Sequence, residues 1–339
     1  MSTEATDIDD TSGETQSLTL VQAVRDGLYT EMARDDDVIL LGEDIGKNGG
    51  VFRATQGLFE EFGDDRVVDT PLAESGIIGT AVGMAAYGLK PVPEIQFSGF
   101  IYPGFDQIIS HVARLRSRTR GRLTCPMVIR APYGGGIRAP EHHSESKEAF
   151  FAHEPGLKVV MPSTPADTKG LLISAIRDPD PVVFLEPKLI YRAFRGDVPE
   201  GDYEIPIGEA ATRREGSDVA VFTYGAMTRP TMAAADSLAE EGIDCEVVDL
   251  RTVSPLDREG IVEAFKKCGR AVVVHEAPKT GGLAGEITAL IQEEALLYQE
   301  APVKRIAGFD VPYPLYSLED YYLPNEHRIA DGIREVVDF

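Results

Sequence analysis

The sequence predicts a two-domain α/β protein, and three observations lead there. From Leu18 onward, stretches with helical periodicity alternate with short apolar runs, the pattern of strands joined by helices into a mostly parallel sheet. A Pro/Gly/acid stretch without periodicity, Arg195 to Gly208, interrupts that pattern and reads as a linker. The 339 residues also exceed what one hydrophobic core usually serves. The expected units are a solvated tail over 1–17, a first domain over 18–194, the linker over 195–208 and a second domain over 209–339.

Taken in order, Leu20–Ala33 has an apolar and a polar face and predicts a helix. Val38–Leu41 predicts a buried strand, followed by a loop over Gly42–Gly50. Gly76–Leu89 is apolar and rich in small residues; at about 14 residues it is too short to span a bilayer despite its G-x-x-x-G spacing, and it predicts a close-packed helix behind a functional loop. Val92–Phe97, Met127–Arg130, Val159–Met161 and Val182–Leu185 predict the remaining strands of the first sheet. In the second domain Val219–Thr223, Cys245–Asp249 and Ala271–His275 predict strands, Arg229–Glu241 and Arg258–Cys268 helices, with another helix from Leu283.

With 56 acidic against 33 basic side chains the formal net charge is −23, which excludes a nucleic-acid binder of the usual basic kind. Arg outnumbers Lys, and with a pI near 4.6 this matches a protein kept soluble in concentrated salt, so a halophile's cytoplasm is expected; an acidic protein from a GC-rich genome has the same composition. Cys125, Cys245 and Cys268 are far apart and odd in number, which favours a reducing compartment over a disulfide framework. Met1–Ser17 has several acids, many hydroxyls and no Arg, the opposite of a transit peptide.

Four constellations could carry chemistry. Glu74, in Asp69-Thr-Pro-Leu-Ala-Glu-Ser-Gly76, stands at the mouth of the apolar helix, where a carboxylate either caps free N–H groups or faces a ligand nitrogen with its pKa raised by desolvation. Glu141-His-His-Ser-Glu145, with His153 beyond, lacks the usual zinc spacings and reads better as a loop presenting one histidine as proton donor. Gly134-Gly-Gly-Ile-Arg-Ala139 matches G-x-G-x-x-A after a strand, but Pro140 follows where a helix should open and no acid ends the next strand, so a dinucleotide site fails its context test. Ser174–Pro181 is a helix end turning into a strand through two acids, either an Asp/Pro turn or a set of oxygen ligands for a cation.

Together, Asp69–Gly76 with its small-residue helix, Phe97-Ser-Gly-Phe100, His142–Ser144, Pro155–Val160, Ser174–Pro181, Tyr224–Ala226, Glu246–Thr252 and His275-Glu276 resemble one family. It is the beta subunit of the E1 component of thiamine-diphosphate-dependent 2-oxoacid dehydrogenases, and the likeness runs from Leu18 to the C-terminus. The resemblance implies a pyrimidine-binding, transketolase-like first domain and a transketolase C-terminal-like second domain. It implies that Glu74 hydrogen-bonds the cofactor's aminopyrimidine and so helps activate the thiazolium carbon for attack on a 2-oxo carbon. Phe100 aligns with an aromatic that stacks on the pyrimidine, Glu43 with an acid lying between two active sites, and His143 with the active-site histidine. Glu145 departs from the amide many relatives carry, leaving open how its charge affects His143. The turn near Ala175 resembles a potassium site made of the carbonyls of Met127, Ala175 and Ile176 with Asp178 and Asp180.

The sequence has no G-D-G segment of the kind that anchors a magnesium diphosphate. The resemblance then implies that thiamine diphosphate is shared with a separate E1 alpha subunit carrying the Mg2+ ligands, in an α2β2 heterotetramer, and that a lipoylated E2 acyltransferase is a further partner. No nucleic acid and no membrane are expected as partners. Pyruvate is the favoured substrate, with branched-chain 2-oxo acids or acetoin as alternatives. A non-catalytic scaffold that keeps the fold is the reading from another class, and a nicotinamide-binding subunit built on Gly134–Ala139 is a third.

Overall fold

The computed structural model describes residues 13–339, so the expectations for residues 1–12 lie outside the described residues. The strands are β1 (Thr15–Leu18), β2 (Val38–Gly42), β3 (Val67–Asp69), β4 (Lys90–Glu94), β5 (Val128–Tyr133), β6 (Lys158–Val160), β7 (Val182–Pro187), β8 (Gly196–Pro199), β9 (Ala211–Arg214), β10 (Val219–Thr223), β11 (Cys245–Asp249), β12 (Thr252–Ser254), β13 (Ala271–Pro278) and β14 (Lys304–Gly308). Seven form one sheet in the order β12-β6-β7-β5-β4-β2-β3, parallel except for β12. Five form a second in the order β14-β13-β10-β11-β9, parallel except for β9. Helices cover the faces, and for that reason β2, β5, β7, β10 and β11 are buried along their whole length; β2 and β10 are almost wholly apolar, while β5, β7 and β11 also bury charged residues.

The predicted elements match with end shifts of a few residues: the helices run Leu20–Arg34, Glu74–Tyr87, Thr228–Ala239, Arg258–Cys268 and Leu283–Ala295. The strand expected over Val92–Phe97 instead occupies Lys90–Glu94. Pro91 and Pro93 have no N–H to offer, and the ladder from β4 to β5 is reduced to Glu94 opposite Arg130, while the ladder to β2 is complete. Residues 15–17, expected in the solvated tail, belong to β1, which pairs antiparallel with β8 inside the expected linker. Backbone hydrogen bonding needs no apolar side chains, and this small ribbon is pinned by buried Leu18 and Val198 packed with Ala23.

The two sheets meet through side chains as well as through β12. Tyr224 Oη donates to Glu148 Oε1 at 2.9 Å, Arg251 Nη1 reaches Asp167 Oδ1 at 3.0 Å, and the Met161 N–H donates to the Arg251 carbonyl at 2.7 Å. His275 on β13 is fully buried, its Nδ1 3.1 Å from the Ala277 carbonyl and its ring stacked near Tyr224. Burial is the main cause that lowers its pKa to about 4. The unfolded chain therefore binds a proton between about pH 6.5 and 4 that the folded chain refuses, so this histidine costs stability as pH falls through that window, by about 3 kcal/mol in all. In urea titrations at successive pH values, His275→Gln should flatten the acid decline relative to the parent chain; an unchanged slope would refute the assignment.

Candidate active site

Four adjacent parallel strands, in the spatial order β5-β4-β2-β3, send their carboxyl ends toward one edge of the first domain, where open α/β sheets place their ligands. The loops leaving those ends carry His143, Phe100, Glu43 and Glu74 respectively. The sequence-predicted catalytic and cofactor residues thus come from four consecutive crossings to one side of one sheet.

Glu74 is the first residue of the helix Glu74–Tyr87 and is half-buried, so its carboxylate stands at the positive end of a four-turn dipole. Gly104 lets the segment Tyr102–Gln107 press against this turn, since a Cβ there would lie 3.1 Å from the Glu74 carbonyl oxygen. Asp69 explains why the loop bearing Glu43 lies beside it: its carboxylate accepts the N–H of Gly46 at 2.6 Å and of Lys47 at 3.3 Å. Glu43 is half-buried, and burial first, then the neighbouring charges of Glu74 and Asp44, raise its pKa. Of these causes, only the Glu74 charge reaches Glu43 from another loop of the cluster.

His143 closes a short 3-10 turn over Glu141–His143. Its ring lies 4.3 Å from the Phe97 ring and 5.0 Å from that of Phe100, both edge-on, and its Nδ1 is buried with no hydrogen-bond partner among the described residues. Its pKa is lowered by burial, then by the charges of Lys188 and His142, against a weaker opposing pull from Glu141. The imidazole is accordingly neutral near pH 7, able to accept a proton or pass one on. Glu145 turns away from it: its carboxylate meets Lys147 Nζ at 3.0 Å and Tyr102 Oη at 3.4 Å, and only His142 Nδ1, at 4.0 Å, approaches from the histidine pair. Gly99 is required where it stands because a Cβ would collide with the His142 carbonyl. Gly99→Ala is expected to cost on the order of 1–3 kcal/mol, through displacement of the histidine turn, as read by thermal denaturation; a melting temperature equal to the parent's would contradict that.

Three neighbours went unnoticed in the sequence as site residues. Phe97 is the ring against which His143 rests. Lys188 follows β7 directly; it is 4 % exposed, its Nζ has no hydrogen-bond partner among the described residues, and that atom lies 5.8 Å from the Phe97 ring. Burial lowers its pKa to about 7 against the pull of Glu276 and Glu319. Glu276, on β13, is itself pushed up to about 7, chiefly by burial. The available signal for Lys188 was its position, a cation immediately past the carboxyl end of a fully buried strand.

The supposed cation ligands lie elsewhere. Met127 precedes β5 and Ala175–Asp180 precedes β7, so they occupy the amino ends of the strands, opposite the Glu74 cluster. Asp178 is paired with Lys158, and Asp180 with Arg116 at 2.5 Å; the carbonyls of Met127 and Ala175 accept the N–H groups of Val182 and Asp178. Both side-chain carboxylates are ion-paired in this structure. No cluster of three or more His, Cys, Asp or Glu side chains that could hold a metal occurs among the described residues. Nor is any described helix long and apolar enough to cross a membrane.

Residues 16–193 match the pyrimidine binding domain of transketolase and residues 208–329 the transketolase C-terminal domain, which together define a transketolase-like protein. Within that class, the chain belongs to the family of E1 component beta subunits of 2-oxoacid dehydrogenases. It is 52 % identical over 322 residues to the pyruvate dehydrogenase E1 component subunit beta of Bacillus subtilis (strain 168), covering 95 % of this chain and 99 % of that protein. Subunits of the same name from Staphylococcus aureus (strain Mu50 / ATCC 700699) and Acholeplasma laidlawii are each 50 % identical, over 95 % and 94 % of this chain and 99 % and 98 % of theirs. A split-gene transketolase, solved as an inactive beta4 tetramer, superposes with a TM-score of 0.78 over 95 % of this chain and 99 % of that one; at 22 % identity it attests the fold.

Proposed function

We propose that this chain supplies the pyrimidine side of a divided thiamine diphosphate site in a pyruvate dehydrogenase E1 enzyme. The observation that carries this reading is the convergence of Glu43, Glu74, Phe100 and His143 on the carboxyl ends of β2–β5. The residues suit the cofactor: a half-buried carboxyl at a helix N-terminus, a half-buried aromatic face and an unpartnered buried imidazole nitrogen. When bound, thiamine diphosphate supplies a carbon nucleophile and an electron sink for decarboxylation. Glu74 shares a proton between its carboxyl oxygen and a ring nitrogen of the pyrimidine. Phe100 orients the ring by offering its flat face. His143, neutral and edge-packed on Phe97 and Phe100, is suited to give a proton to the dithiolane sulfur released as the acyl group bonds to the other sulfur.

The diphosphate and its Mg2+ require ligands that the described residues do not assemble, so an alpha subunit provides them, and a lipoylated acyltransferase receives the acyl group. The test is a titration of Mg–thiamine diphosphate against this chain alone and against its mixture with the alpha subunit. Tight binding only in the mixture is the expected result; equal binding by the single chain would overturn the divided site.

A further inference from the structure

The three consecutive glycines Gly134–Gly136 have the look of a phosphate cradle, and the structure shows what their backbone binds. The Gly135 N–H donates to Glu276 Oε2 at 3.1 Å, the Gly136 N–H to Glu319 Oε1 at 2.6 Å and the Arg138 N–H to Glu319 Oε2 at 2.9 Å. Tyr313 Oη adds a hydrogen bond to Glu319 Oε1 at 2.7 Å. A run of N–H groups converging on anions is a nest, and here the anions are carboxylates from the second half of the same chain, buried to 4 % and 1 % exposure.

The glycines are needed for this contact. A Cβ on Gly134 would strike the Glu276 carboxylate, one on Gly135 the Tyr313 hydroxyl, and one on Gly136 would stand 2.5 Å from Leu189 Cδ1. Gly134 and Gly136 also have φ of +83° and +86°, which L side chains rarely adopt. From this loop the chain runs directly into the turn bearing His143, and Ser144 Oγ ties the two together through the carbonyls of Ala139 and Pro140 at 3.3 and 3.1 Å. Buried Lys188, whose Nζ lies 5.8 Å from the Phe97 ring, is within electrostatic reach of both carboxyl groups.

We propose that Glu319, with Glu276 beside it, is a positioning residue for His143: the second domain's carboxylates grip the glycine loop and so hold the imidazole at the edges of Phe97 and Phe100. The inference rests on the reading of His143 as the group that serves acyl transfer. It assigns the second domain a part in the chemistry, exerted through the loop.

The test uses the enzyme assembled with its alpha subunit. In Glu319→Gln one loop N–H faces an amide NH2 in place of an acceptor, and amide hydrogen exchange over 134–144 should accelerate about tenfold or more, the scale of a lost charged hydrogen bond. Reductive acylation of a lipoyl acceptor should fall about tenfold with it, while cofactor affinity and pyruvate decarboxylation read with an artificial electron acceptor stay within about twofold. Glu319→Asp, which keeps two acceptor oxygens, should recover part of both losses, and it carries the exchange test if the Gln variant fails to assemble. Unchanged exchange in the loop, or decarboxylation falling as far as acylation, overturns the proposal. His143→Ala separates the two levels. If it leaves acylation intact, the reading of His143 is wrong; if it abolishes acylation while Glu319→Gln does not, only the grip on the loop is wrong.

Discussion

Glu74→Gln is expected to lower pyruvate decarboxylation in the assembled enzyme by 10²- to 10⁴-fold, about the span that a positioned acid–base group contributes. The substitution preserves size and helix position and removes only the ability to share a proton. Its cost to the fold is confined to a carboxylate–dipole interaction of about 0.3–1 kcal/mol at the helix N-terminus, so the melting temperature should barely move. A rate assay with an artificial acceptor, beside a thermal melt, reads both quantities. Activity within tenfold of the parent would remove Glu74 from the mechanism and restore the reading of this chain as a scaffold.

Arg130→Leu is expected to be the most destabilising substitution in the first domain. Arg130 is 1 % exposed and lies at the centre of β5, its Nε and Nη2 bound to the two oxygens of Glu186 at 2.6 and 3.1 Å and its Nη1 to Glu94 Oε2 at 2.8 Å. Tyr191 completes the cluster through Glu186. Burial already raises the pKa of Glu94, with Arg130 the chief opposing influence, so removing the guanidinium strands two carboxylates in the core. The loss of one partner of a buried ion cluster costs about 3–5 kcal/mol, whereas replacing all three ionic members by apolar residues of similar volume should cost far less. Urea midpoints for Arg130→Leu and for the triple replacement would decide; equal destabilisation by the two would contradict the argument.

Strands buried on both faces were legible because their apolar runs are their own signal: Val38–Leu41, Val182–Leu185 and Val219–Thr223 all lie within observed strands. The ribbon β1–β8 and the short strands β9 and β12 were not, since their polar or half-exposed sequences become strands only through the partner they meet. The same division runs through the site. Glu74, Phe100 and His143 stood in local patterns tied to a known chemistry. Lys188 and Glu319 did not, and Glu276 stood in one that gave it no role, because their significance arises from meetings across as many as 183 positions of sequence. The glycine run was visible, but only the fold reveals that its ligand is internal.

Thr252–Ser254 completes the first domain's sheet from within the second, lying antiparallel on β6. Two modules that sequence comparison separates at the linker are therefore not separable by scissors. A gene truncated there would yield a sheet whose outermost strand offers a bare row of N–H and C=O groups, a template for sticking to its neighbours. Each molecule must complete both halves before either is safe in solution.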